Sequence, residues 1–154
     1  YCAEMMRAHP GLKCVAVPTA RAAVEGTDVV VTAGPIRANP APAIEPGWFA
    51  EGALAVPLDY DSYWQPEAMA AADRFYTDDT PQLLYTRGQG VFFRRIPQVY
   101  ADLGEVAAGL RDGRRDDRER LFCLNMGIAL EDMATAPLVL ARALEQGLGT
   151  RLPL

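Results

Sequence analysis

The chain has 154 residues, half of them apolar and 23% charged, with 20 acidic residues against 15 basic and a net charge of -5. That length suits one domain with a sizeable core, and no apolar run approaches the ~20 residues that a membrane span needs. The acidic balance, with Lys13 the only lysine, argues against a nucleic-acid partner, whose binding wants a basic face to displace counterions.

In chain order, Tyr1 to Ala8 already reads as the middle of a helix, without an initiator methionine or a signal-peptide pattern. The chain is expected to start inside a fold. His9 precedes Pro10-Gly11 at the helix end, and as the only histidine it argues against histidine-centred triads and multi-histidine metal sites. Lys13 to Val17 reads as a short strand. Thr19 is placed to cap a helix running through Val24 that Gly26 ends. Asp28 to Thr32 follows as a strand whose unbroken apolar run suits a parallel strand covered on both faces. A Pro-rich connection holding Pro35, Pro40, Pro42 and Pro46 leads to Trp48-Phe49. The next strand, Ala53 to Leu58, begins directly afterwards.

Pro66 at a first helical position starts a helix over Glu67 to Ala72, and Arg74 to Thr77 is a strand ending at Asp78-Asp79. Thr80-Pro81 opens another helix by the same device. Asp102-Leu103-Gly104-Glu105 has the spacing of a capping box and begins a helix over Leu103 to Leu110. Arg111 to Arg120, with Gly109 and Gly113, reads as a solvated turn. Leu121 to Leu124 is strand-like and meets Asn125-Met126-Gly127, after which a helix over residues 128–147 carries Leu130, Met133, Ala134, Leu138, Ala141 and Leu144 at helical spacing. Pro137 inside that pattern predicts a kink, and Glu131-Asp132 in the first turns suit the helix dipole.

Strands alternating with helices of these lengths predict an α/β fold with a parallel, doubly wound sheet. Such sheets place ligands at the carboxyl ends of their strands, where backbone amides of the following loop and helix are free to meet them. Asn125 to Gly127 falls on that rim. The dinucleotide fingerprint is missing, because Gly88-Gln89-Gly90 lacks a preceding strand. Cys2, Cys14 and Cys123 lack the spacing of a metal or redox motif, so no metal is expected. Cys14 and Cys123 are read as buried, inert thiols in a reduced, cytoplasmic setting.

The series Thr27-Asp28-Val29-Val30-Val31-Thr32-Ala33, Trp48, Gly52-Ala53-Leu54, Val56-Pro57-Leu58-Asp59, Asp102 to Gly109 and Asn125 to Asp132 resembles the ornithine cyclodeaminase and mu-crystallin family in order and spacing. The resemblance implies a partial Rossmann-like domain over residues 1–154, doubly wound and mostly parallel, lacking its first strand, Gly-rich loop and helix. The whole protein would be about twice as long and homodimeric. In the family's strand order, Lys13 to Val17 and Asp28 to Thr32 would be separated by two strands outside this chain, leaving unpaired edges. The domain is therefore expected to rearrange, to pair with another chain, or to be the ordered remnant of a longer protein.

The implied activity is oxidation of an amino acid at its α-carbon to an imine by NAD or NADP, followed in the cyclodeaminase branch by ammonia loss and closure of a proline ring. Amino-acid dehydrogenation, reduction of a cyclic imine, and noncatalytic binding of the mu-crystallin kind are the alternatives. The resemblance places the catalytic Asp at Asp59, with Asp61 two residues on as a possible competitor. The other reading of Asp59 is a loop acid capping the turn Asp59-Tyr60-Asp61-Ser62. Cofactor contacts are carried to Thr32, Ala33, Val56, Pro57, Leu58, Asn125, Met126 and Gly127, whose alternative readings are strand ends and a helix-start turn. Tyr63 stands where the cyclodeaminase pattern has a Lys, which a neutral phenol does not replace.

Overall fold

Five short parallel strands carry the fold. In the computed structural model, which describes residues 1–153, they are β1 (Val29–Thr32), β2 (Leu54–Pro57), β3 (Arg74–Thr77), β4 (Ala101–Asp102) and β5 (Leu121–Leu124). They lie side by side in the order β1-β2-β5-β3-β4, every pair parallel. Parallel neighbours need crossover connections, and α3 (Pro66–Met69), α4 (Thr80–Gly88) and α5 (Leu103–Ala107) follow β2, β3 and β4 in turn. The chain then returns to insert β5 between β2 and β3 and continues into α6 (Ala129–Glu145). Helices α1 (Cys2–Ala8) and α2 (Ala20–Val24) precede the sheet. The α/β class and the parallel sheet are as the sequence predicts.

Local signals set the element ends. Thr19 accepts the Ala22 N–H at 3.2 Å to cap α2, Pro66 opens α3, and the Glu105 carboxylate accepts the Asp102 N–H at 3.0 Å in the capping box of α5. The Asp102 carboxylate also reaches back to the Thr80 N–H at 3.0 Å, tying α5 to α4.

Side chains alternate across the sheet, and the main core gathers on one face around Phe122. Its ring stacks on Phe75 at 5.1 Å and meets Trp64 edge-on at 4.9 Å. Val30, Ala55 and Leu124 extend this layer. On the opposite face Tyr76, Ala101, Leu121 and Cys123 form a smaller cluster.

Three expectations are corrected. Residues 13–17 form no strand; they pair with no neighbour in the sheet, and an apolar run without a ladder partner has nothing to hold it extended. Cys14 is accordingly half-buried instead of buried, and a side-chain hydrogen bond with Cys2 pushes its thiol up. The segment from Arg111 to Arg120 is not wholly solvated, since Glu119 is buried against Arg74. Helix α6 carries Pro137 in its interior, and among the described residues its apolar stripe is uncovered, with Leu130, Met133, Leu138 and Leu144 all exposed. No helix of the described residues is long and apolar enough to cross a membrane.

Gly52 sits at the entrance to β2 with φ at +76° and donates its N–H to the Arg118 carbonyl at 2.9 Å. A Cβ there would strike the backbone carbonyl of Asp117. Gly52→Ala is expected to combine about 1–2 kcal/mol of left-handed strain with about 1–3 kcal/mol of overpacking. Gly26→Ala, at φ +75° with open space around it, carries the strain alone. Urea unfolding of the two variants measures the difference, and equal losses would show that the Asp117 contact gives way freely.

Candidate active site at the carboxyl end of the sheet

Asp59 lies just beyond β2 and is completely buried. Its side chain does not cap its own turn, which the Ser62 N–H closes on the Asp59 carbonyl at 3.3 Å. Instead it reaches across to the end of β1. The Thr32 hydroxyl donates to Oδ1 at 2.8 Å and the Gly34 N–H donates to Oδ2 at 2.9 Å. Parallel pairing of Thr32 with Pro57 brings the two strand ends level, so the carboxylate is fixed from two sides. Each oxygen keeps a second acceptor position.

The backbone leaving Asp59 is strained. Tyr60 has φ at +61°, a region costly for a residue with a side chain. Its ring is held by Phe92 at 5.3 Å and Phe93 at 4.8 Å. The Phe93 N–H donates to Asp61 Oδ2 at 2.8 Å. Asp61 therefore turns to another surface, lining a hollow with Trp64, Arg94 and Arg95, and does not join Asp59. The Tyr63 ring lies against the Cα of Gly34 so closely that a side chain at position 34 would overlap it.

A cavity of about 470 Å³ opens beside this cluster, lined by Val30, Thr32, Gly34, Ile44, Asp59 and Tyr63 among others. A second cavity of about 360 Å³ lies at the end of β5 and is lined by Leu58, Leu103, Asn125, Met126, Gly127 and Glu131. The predicted site residues thus divide between two hollows that share the end of β2. Thr32 and Asp59 face one. Leu58, Asn125, Met126 and Gly127 face the other. Ala33, Val56 and Pro57 line neither.

The rim amides depart from expectation. Instead of standing free for a ligand, the Asn125 N–H donates to the Pro57 carbonyl at 3.1 Å. The N–H groups of Met126 and Gly127 both donate to Asp78 Oδ2, at 2.7 and 2.6 Å. A parallel sheet leaves strand-end amides looking for acceptors, and here a carboxylate on the neighbouring strand supplies one. Cys123 is buried as the sequence reading has it. Burial, and then the charge of Asp78, push its thiol up to about 11, which keeps it a thiol near neutral pH and a poor nucleophile. Its S–H lies 3.4 Å from Asn125 Oδ1.

Among the described residues, neither cavity has Lys or Arg in its lining. With Glu131 at the second, the pair suits neutral or cationic ligand groups better than phosphates.

The family model for the ornithine cyclodeaminase/mu-crystallin family matches residues 1–147. The chain belongs to the ornithine cyclodeaminase/mu-crystallin family. Among curated family members, the nodulation efficiency protein NfeD of Rhizobium meliloti is 31% identical over 149 residues, covering 96% of this chain and 45% of the relative. Among solved structures, the Thermococcus litoralis Delta(1)-pyrroline-2-carboxylate reductase in complex with NADH and L-proline superposes with a TM-score of 0.75 at 27% identity, over 98% of this chain and 48% of that one. An archaeal alanine dehydrogenase dimer with bound NAD gives 0.72 at 25% identity, over 99% and 48%. The chain spans just under half the length of these relatives.

Within this family frame, the sequence reading missed Asp78. Its place after the all-buried strand Arg74-Phe75-Tyr76-Thr77 was the available signal, but a strand-end acid is common punctuation. Only the neighbouring strand shows what it holds.

Proposed function

We propose that the chain is the nicotinamide-binding part of an oxidoreductase acting on an amino acid at its α-carbon, or on the carbon–nitrogen double bond of a cyclic imine. The observation that carries this reading is Asp59, a buried carboxylate held by Thr32 and Gly34 on the wall of the larger cavity. The relatives with bound NADH and L-proline, and with bound NAD, supply the chemical class. When bound, NAD or NADP accepts a hydride from the α-carbon or returns one to the imine carbon.

Asp59 takes the proton that the substrate nitrogen gives up on oxidation and returns it on reduction. Thr32 and Gly34 keep the carboxylate in one orientation through both directions. Burial excludes bulk water from the exchange. Leu58, Leu103 and Met126 offer an apolar face to the nicotinamide ring, with Asn125 beside them. The phosphates are held elsewhere in the whole protein, because these walls carry no cation. Tyr63, a neutral group where the cyclodeaminase pattern has Lys, favours dehydrogenation or imine reduction over strict ornithine cyclodeamination. A homodimer is the assembly that goes with this reading, by analogy with the dimeric alanine dehydrogenase.

Fluorescence titration of the whole protein with NADH and NADPH tests the proposal. Saturable binding of one or both is expected, and the isolated chain is expected to bind more weakly. Failure of the whole protein to bind either nucleotide would overturn it.

A further inference from the structure

We propose that Asp78 is the positioning residue of the nicotinamide side of the site, acting through the loop Asn125 to Gly127. This inference rests on the nucleotide reading above. Asp78 is 7% exposed and has no ion-pair partner among the described residues. A buried carboxylate without a counter-charge is costly unless donors surround it. Four do. The Thr77 hydroxyl and the Asp79 N–H donate to Oδ1 at 3.1 and 3.0 Å, while the Met126 and Gly127 N–H groups converge on Oδ2.

Capping α4 does not account for this residue. Asp79 is the cap, accepting the Gln82 N–H at 2.6 Å. What Asp78 alone does is cross from β3 to the loop after β5. The register Thr77 to Leu124 sets it beside Asn125, and Gly127, at φ +81°, adopts the left-handed turn at which the two amides converge. Gln82 adds a second tether, donating Nε2–H to the Gly127 carbonyl at 3.2 Å. The loop is thereby clamped through two of its amides and the Gly127 carbonyl. Asn125 and Met126 are held in a single register where they line the cavity together with Leu58.

The clamp touches only the nicotinamide end, and that makes it testable. NADH and ADP-ribose share the adenosine and pyrophosphate, but ADP-ribose has no nicotinamide. In the whole protein, Asp78→Ala is expected to weaken NADH binding about tenfold, equivalent to about 1.4 kcal/mol, and to leave ADP-ribose binding unchanged. Asp78→Asn, which keeps one oxygen for the two loop amides, is expected to lose less, and it carries the test if the Ala variant does not fold. Hydrogen exchange is expected to show the Met126 and Gly127 amides losing protection while those of β3 and β5 keep theirs. Unchanged NADH affinity, or equal loss of NADH and ADP-ribose affinity, would overturn the positioning role. If the wild-type protein binds no NADH, the nucleotide reading itself fails and this inference falls with it, an outcome distinct from unchanged affinity in the variants.

Discussion

Replacing Asp59 with Asn in the whole protein is expected to lower turnover about 10²–10⁴-fold, the range for loss of a positioned proton carrier, with little change in thermal stability. The two effects separate because of the donors around the side chain. An Asn oxygen placed at the Oδ2 position still accepts the Gly34 N–H, and its amide nitrogen at the Oδ1 position donates to the Thr32 hydroxyl, which accepts as readily as it donates. Both contacts survive in a side chain of nearly the same shape. What is lost is the capacity to take a proton from the substrate nitrogen. Asp59→Ala lacks this symmetry. It leaves the Gly34 N–H without its acceptor and is expected to destabilise the fold by about 1–3 kcal/mol in addition. Steady-state kinetics of the Asn variant with α-amino acids and cyclic imines, beside its melting curve, measure both quantities. Undiminished turnover in a folded Asn variant would remove Asp59 from the chemistry.

Glu119→Ala is expected to be the most damaging change outside the site, costing about 3–5 kcal/mol, as breaking a buried ion pair does. Arg74 and Glu119 meet at 3.1 Å with side chains 3% and 8% exposed. Arg74 also donates to the Asp112 carbonyl at 3.1 Å and to that of Gly113, and its guanidinium lies 4.9 Å from the Tyr100 ring centre. Glu119 in turn accepts from the Arg115 N–H at 2.8 Å and from Arg115 Nε at 3.0 Å. Removing Glu119 leaves the Arg74 charge buried with only neutral partners, the Asp112 and Gly113 carbonyls, the Tyr76 hydroxyl and the Tyr100 ring, and frees the loop that runs from α5 to β5. At about 2–4 °C per kcal/mol for a chain of this size, the melting temperature is expected to fall on the order of 10 °C. The double change Arg74→Met with Glu119→Leu removes both charges and is expected to lose less than Glu119→Ala alone. A double variant as unstable as the single one would show that packing, not the stranded charge, sets the cost.

These two residues mark the boundary of what was legible in the sequence. Asp59 was visible because it ends a strand within a run of blocks that resembles a known family. In sequence Glu119 is one more acid in a charge run, since its partner is 45 residues away in the chain and no local pattern announces it. Asp78 was hidden for the same reason, its partners lying 48 and 49 residues on. Asp61, two residues after Asp59, is in sequence a competitor for its role. Its carboxylate turned out to serve the Phe93 amide, on the far side of a strained turn.

The sequence by itself determined the elements whose signals are short-range: the Thr19 cap, the Pro66 start of α3, the Asp102 and Glu105 box and the amphipathic pattern of α6. Those signals act over a few residues and are written contiguously in the chain. The tertiary structure decided which apolar runs became strands, because a strand forms only beside a partner, and residues 13–17 have none in this sheet. It also decided which strand-end amides are free to meet a ligand. Insertion of β5 between β2 and β3 set the loop after β5 beside Asp78 and directed its amides inward, a pairing fixed by strand order and invisible in any stretch of sequence.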